Sequence, residues 1–150
     1  MSVDSDNGLP KDADAYVDIE TFEQILEMDD DDTRDFSSAL VSGFFEQVET
    51  TFEEMDAALK QKDLDKLSSL GHFLKGSSAT LGIYRVRDSC EKIQHLGGRK
   101  DETGSKDIKE EQALTSIAEI LPLLKDDYAD AEAWLMKFFN PDANGEEASV

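Results

Sequence analysis

The sequence predicts an all-α fold, an antiparallel up-down four-helix bundle with a short extra N-terminal helix. Apolar residues recur every three or four positions along successive stretches, which is the period of amphipathic helices and not of strands. Prolines number only 3, and β-branched residues are sparse. A charged fraction of 33% beside a hydrophobic fraction of 39% describes helices with one buried stripe and a solvated outer face. A chain of 150 residues is long enough for one domain around one core.

Residues 1–17 are polar, contain Gly8 and Pro10 and show no periodicity, so they read as a flexible acidic tail ahead of a domain over 18–140. Asp18 is placed to cap a short first helix, with Val17 and Phe22 as a hydrophobic staple. That helix holds Ile19, Phe22, Ile25, Leu26 and Met28 and stops at the acidic tract Asp29–Asp32. Asp32 or Thr33 then caps a long helix whose residues Phe36, Leu40, Phe44, Val48, Phe52, Met55 and Leu59 form one buried stripe. Asp63 caps the next helix, with Leu67, Leu70, Leu74 and Leu81 inward and Gly82 as a left-handed stop.

A fourth helix runs from about Tyr84 to Leu96, with Val86, Cys90, Ile93 and Leu96 inward and Gly97–Gly98 at its end. After a polar loop over 99–106, Asp107–Glu110 ("DIKE") resembles a capping box that opens a fifth helix. Its inward residues run from Leu114 to Phe138, with a kink or break expected at 118–122 because Pro122 interrupts the pattern. Asn140–Pro141 terminates it, and 141–150 reads as a second flexible tail. Short connections between long amphipathic helices make the neighbours antiparallel.

Composition excludes several functions. A formal net charge of −20 repels phosphate backbones and anionic membrane surfaces, so nucleic acid and membrane are not expected partners. No apolar run approaches the roughly 20 residues of a membrane span, and the N-terminal stretch lacks the apolar region of a secretory signal. The lone Cys90 makes no internal disulfide, which fits a reducing compartment, and its place on an apolar stripe makes it core.

The chemistry concentrates in "LGHFLKGSSATLG", residues 70–82. His72 is two positions from both Leu70 and Leu74, so it lies off the buried stripe, towards solvent. Lys75 and Gly76 stand three and four positions on, one turn along the same face. A neutral imidazole nitrogen is a good nucleophile towards phosphorus, and an ammonium one turn away offsets phosphoryl charge. Gly76 leaves room for another protein to approach the backbone, whereas Gly71 is read as a helix-packing position. An interior glycine costs a helix about 1 kcal/mol, so each needs such a reason. Gln94 falls level with His72 when a hairpin turn is centred on Ile83.

These residues resemble a known family. "HFLKGSS" matches the HxxKGSS signature of histidine-containing phosphotransfer (HPt) domains, and "ILEMDDDDTRDFS", "LGHFLKGSSATLGI" and "CEKIQHLG" follow in the order of the fungal phosphorelay intermediates. The resemblance covers residues 18–98 well and the fifth helix by pattern. It implies a phosphoryl carrier, shuttling between aspartates of the receiver domains of a hybrid sensor histidine kinase and of response regulators, as in fungal stress signalling. It also implies His72 as phosphoacceptor, Lys75 as charge stabiliser, Gly76 as close-approach position, Ser77 as a supporting residue and Gln94 beside the histidine. Arg99 corresponds to an arginine near the site in relatives, although "LGGRK" carries an additional glycine. Receiver contact is implied for Ile25, Met28, Asp29, Asp32 and Phe36, with capping as the other reading of the aspartates. A monomer, distributed between cytoplasm and nucleus, is the corresponding expectation.

No glycine-rich phosphate loop or kinase motif set is present in the sequence, so the carrier is expected to bind no cofactor, with Mg²⁺ on the partner receiver. His95 lacks a lysine at the same spacing and reads as structural or solvated, and Trp134 as bundle packing. Metal binding by His72, His95 and Cys90 matches no compact ligand pattern. The alternatives are a receiver-binding adaptor that carries no phosphate and a metal- or ligand-binding bundle; the latter lacks the inward carboxylates such sites use.

Overall fold

The computed structural model describes residues 9–30 and 33–140. Five helices follow one another: α1 (Ile19–Glu27), α2 (Asp35–Lys60), α3 (Leu64–Leu81), α4 (Tyr84–Gly97) and α5 (Glu110–Phe139). α3 packs on both α2 and α4, α4 on α5, and α5 returns to α2, which closes the predicted four-helix bundle; α1 lies against α2 and α3. The core is a single cluster in which Val48, Met55, Leu67, Leu74, Ile93, Ile117 and Leu124 are fully enclosed.

The ends of α3 are set by local chemistry legible in its sequence. The Asp63 carboxylate accepts from the Lys66 amide at 3.1 Å. Gly82 adopts φ 78°, which lets the Ile83 amide reach the Ser78 carbonyl at 2.9 Å. The Gly82 carbonyl accepts from the Asp18 amide at 2.7 Å and so ties α1 to the end of α3.

α3 and α4 approach until backbone meets backbone. A Cβ added at Gly71 would lie 2.8 Å from the Cys90 carbonyl oxygen and 2.9 Å from the Gln94 nitrogen. One added at Gly97 would lie 2.6 Å from the Ser68 nitrogen and 2.7 Å from the Leu64 oxygen. Ser68 Oγ donates to the Gln94 carbonyl across the same seam at 2.8 Å.

Several expectations are corrected. Residues 9–17 are ordered against the bundle: Leu9, Ala13 and Val17 are buried, and a 3-10 turn spans Ala13–Ala15. Trp134, in the bundle as expected, explains why: Tyr16 stacks on it at 5.8 Å, and its Nε1 donates to Asp12 at 3.1 Å. α5 runs unbroken through Pro122. The proline and Ala118, whose carbonyl loses its partner, are both exposed, so water can satisfy that carbonyl while buried Ile117, Leu121 and Leu124 hold the helix on the core. Asp107 opens no capping box; it pairs with Lys100 in an isolated antiparallel bridge and by its carboxylate, and α5 starts at Glu110 after an extended Lys109. The α2 stripe begins lower than read, with Ser37 and Val41 buried and Phe36 and Leu40 exposed. Residues 1–8, Pro141 and the second tail lie outside the described residues.

Cys90 is enclosed in the core, and burial pushes its thiol up from 9.0 to about 12. Thiol reagents at pH 8 should therefore leave the folded protein unlabelled and modify it after denaturation. Its contribution to stability is complete below pH 9 and declines as pH rises from 9 to 12, because there the unfolded thiol ionises and the buried one resists.

Urea unfolding should separate the glycines. Gly71→Ala and Gly97→Ala should each lose about 2 kcal/mol or more to overpacking. Gly76→Ala should gain up to about 1 kcal/mol from helix propensity.

Candidate functional site

Buried Leu67, Leu70, Leu74 and Leu81, with the Gly71 contact to α4, fix the rotation of α3 about its axis. The opposite flank is thereby presented outward. His72 and Gly76 are exposed and Lys75 is half-buried beside them, one turn apart on one surface. Among the described residues neither the His72 ring nor the Lys75 ammonium makes a hydrogen bond or ion pair, so both remain available. A Cβ at Gly76 would meet nothing within 4 Å. Gly71 and Gly76, five positions apart on one helix, thus face opposite demands: one admits α4, the other leaves an open surface.

Gln94 is brought to the same level, its backbone against Gly71 and its carbonyl bonded by Ser68. Its side-chain Oε1 is enclosed without a hydrogen-bond partner, an unmet acceptor. Ser77 is half-buried and lines the groove between α2 and α3. Arg99 is not brought to His72. Its guanidinium pairs with Asp65 at 2.9 Å and Glu110 at 3.1 Å, near the start of α3, and the hydrogen bonds to Asp65 and Glu110 push its pKa further up. The additional glycine and a left-handed Arg99 (φ 65°) turn the chain there towards the 99–109 loop. His95 is structural: its Nδ1 donates to the Glu102 carbonyl at 2.8 Å.

The Hpt domain family model matches residues 39–134, which include α3 and α4 whole and most of α2 and α5. The chain belongs to the Hpt domain family. It is 46% identical over 129 residues to multistep phosphorelay regulator 1 of Schizosaccharomyces pombe, covering 85% of this chain and 44% of that protein. It is 53% identical over 81 residues to the phosphorelay intermediate protein YPD1 of Candida albicans, covering 54% of this chain and 44% of that protein. The chain spans about half the length of the curated relatives it matches. Among solved structures it is similar to the Saccharomyces cerevisiae histidine phosphotransfer signaling protein Ypd1, crystallised with the receiver domain of its downstream response regulator Ssk1. That match has a TM-score of 0.73 and 34% identity over 83% of this chain and 95% of that one.

Of the docking residues that the Hpt resemblance implies, Met28 and Phe36 are 62% and 44% exposed, just beyond α1 and at the start of α2. Ile25 is buried at 6% and belongs to the core, because it lies on the α1 face that meets the bundle. Asp29 is a cap: its carboxylate accepts from the Ser37 amide at 2.8 Å and the Ser37 hydroxyl at 2.7 Å. It thereby supplies what Arg34, the left-handed residue before α2, cannot; Thr33 Oγ1 accepts from the Asp35 amide at a longer 3.3 Å. Asp32 lies outside the described residues. Sequence reasoning missed Leu40 and Phe73 as exposed apolar residues near this surface, and Gly43 between them. Leu40 fits the α2 period as core, and Phe73 is overshadowed by its neighbour His72. Among the described residues no group of three or more His, Cys, Asp or Glu side chains is placed to hold a metal ion, and no helix is long and apolar enough to cross a membrane.

Asp29→Ala should lower stability by about 1 kcal/mol in urea titrations, the scale of a lost helix cap. Asp29→Asn, which retains an acceptor, should recover part of it.

Proposed function

We propose that this chain is a histidine phosphotransfer protein of a multistep two-component phosphorelay. It takes a phosphoryl group from the receiver domain of a hybrid sensor histidine kinase and delivers it to response-regulator receivers. The observation that carries the reading is the exposed flank of α3, where His72, Lys75 and Gly76 share one open face in a chain of the Hpt family.

A neutral nitrogen of His72 attacks the phosphorus of an aspartyl phosphate. The N–P bond forms as the P–O bond to the aspartate breaks, and the carboxylate leaves with the electron pair while the other ring nitrogen keeps its proton. The same exchange run backwards loads a second receiver. Lys75 holds positive charge one turn away, where the phosphoryl oxygens develop negative charge. The enclosed, unpartnered Gln94 Oε1 offers an acceptor to the imidazole N–H, and Ser77 supports the α2 side of the turn. Arg99 has no part in this step, because its guanidinium is held by Asp65 and Glu110.

Met28, Phe36 and the open backbone at Gly76 receive the partner. Mg²⁺ comes with the receiver and not with this chain. The protein acts as a monomer, leaving the α3 flank free, and works in cytoplasm and nucleus; the absence of a membrane-crossing helix among the described residues is compatible with both.

Phosphoryl transfer from a phosphorylated receiver in Mg²⁺ should label the wild type with an acid-labile, alkali-stable phosphate. His72→Gln should abolish that label and leave receiver binding within about twofold. Lys75→Ala should slow transfer by about tenfold or more, the scale of a lost charge contact in a transition state. Binding without any label on the wild type would favour the adaptor reading, and a label retained in His72→Gln would remove His72 from the chemistry.

A further inference from the structure

Two consecutive serines of α3 face different ways. Ser68 is half-buried, and its hydroxyl is committed to the α4 seam, where it donates to the Gln94 carbonyl at 2.8 Å. Ser69, one position further round the helix, is exposed. A helical hydroxyl commonly bonds back to the carbonyl one turn earlier, as Thr80 does to Gly76 at 3.0 Å and Thr51 to Gln47 at 2.6 Å. Ser69 makes no such bond, nor any other hydrogen bond among the described residues. Its hydroxyl is an uncommitted donor. Ser69 precedes His72 by three positions and Gly76 by seven, so the three form one row along the open flank of α3. The next residue of that row, Asp65, is a carboxylate that would repel a phosphate, but Arg99 pairs with it at 2.9 Å.

Side chains of a helix lean towards its N-terminus and cover the turn before their own Cα. That lean carries the His72 imidazole towards the turn of Ser69, and the Lys75 ammonium towards the turn of His72. Cβ atoms three positions apart lie about 5–6 Å from each other, within reach of a group bonded to the ring. A phosphoryl group on His72 then has a cation on its C-terminal side and a hydroxyl on its N-terminal side. We propose that Ser69 contacts the phosphoryl group in the transfer step, its hydroxyl donating to a phosphoryl oxygen as the group passes onto His72. The assignment rests on the carrier function proposed above. Bond-making stays at His72: the N–P bond forms, the P–O bond to the receiver's aspartate breaks, and Ser69 keeps its proton throughout. Its part is to stabilise the charge spread over the phosphoryl oxygens, so it acts on the rate and leaves receiver affinity alone.

The test uses two phosphodonors: a phosphorylated receiver domain, and phosphoramidate, a small molecule that makes no protein interface. Labelling of wild type, Ser69→Ala, Ser69→Thr and Ser69→Asp is timed with each donor in Mg²⁺, and the receiver Kd is measured for each protein. All three variants should keep the helical circular dichroism, because position 69 is exposed. Ser69→Ala should slow the labelling of His72 about three- to tenfold with both donors, the scale of one solvent-exposed hydrogen bond, while the receiver Kd stays within about twofold. Ser69→Thr, which keeps a hydroxyl, should recover most of the loss. Ser69→Asp, which places a carboxylate beside the phosphate, should be slower than Ser69→Ala. Wild-type rates in Ser69→Ala overturn the assignment. So does a loss confined to the receiver donor with a raised Kd, which makes Ser69 a docking contact. Either result leaves the carrier reading standing. A wild type that takes phosphate from neither donor overturns the carrier reading itself, whatever the variants do.

Discussion

The contact on which the site depends is the backbone-to-backbone seam between α3 and α4. At Gly71 and Gly97 a single added carbon would fall below 3 Å from the opposite main chain, so the two helices are as close as their backbones allow. Close packing of this kind leaves α3 little rotational freedom, since any turn about its axis drives a side chain into α4. The leucine stripe and the Ser68 bond to the Gln94 carbonyl act in the same sense. With the rotation fixed, the outward placing of His72, Lys75 and Gly76 follows from 100° per residue. The level of Gln94 follows from the seam itself.

A carrier with an exposed nucleophile makes different demands from an enzyme with a pocket. Its histidine must reach a phosphorylated aspartate held by another protein, so the site has to be convex and accessible, and much of the water exclusion and charge neutralisation must come from the partner. The described surface meets these demands. His72 is exposed with no hydrogen bond among the described residues, the backbone at Gly76 is uncovered, and the buried Gln94 Oε1 is left unpaired. A rigid seam on one side of α3 and an open flank on the other let one helix be both scaffold and site.

Much of this was legible because it is local. The helical periods, the Asp63 cap, the Gly82 stop and the His72–Lys75–Gly76 spacing all act within one or two turns, and hydrogen bonds of that range leave residue types at fixed offsets. The misreadings share the opposite property. Leu9, Ala13 and Val17 are spaced by four in an otherwise polar stretch, and what orders them is Trp134, more than a hundred positions away. Asp29 caps a helix across a turn, through Ser37. Asp107 has a capping residue's spacing but is held in a bridge to Lys100. Phe36 and Leu40 fit the period of α2, yet the inward face there is taken by Ser37 and Val41, one position on, which turns both apolar residues towards solvent. Arg99 has the resemblance's residue type, but ion pairs on two other helices hold it elsewhere.

The charge distribution completes the account. A phosphoryl group is anionic, and a chain of net charge −20 should repel it. The repulsion is unevenly placed. α2 and α5 carry most of the helical acid, including Glu46, Glu49, Glu53, Asp126, Asp127 and Asp130, whereas α3 carries one carboxylate, Asp65, against Lys66 and Lys75. Asp65 is moreover paired with Arg99. The helices joined by the glycine seam are therefore the ones an anion can approach, and Lys75, without a carboxylate partner among the described residues, is the cation left to meet it. The acidic exterior disfavours phosphate backbones and anionic membranes, while the local balance on α3 is the one the proposed phosphoryl transfer at His72 requires.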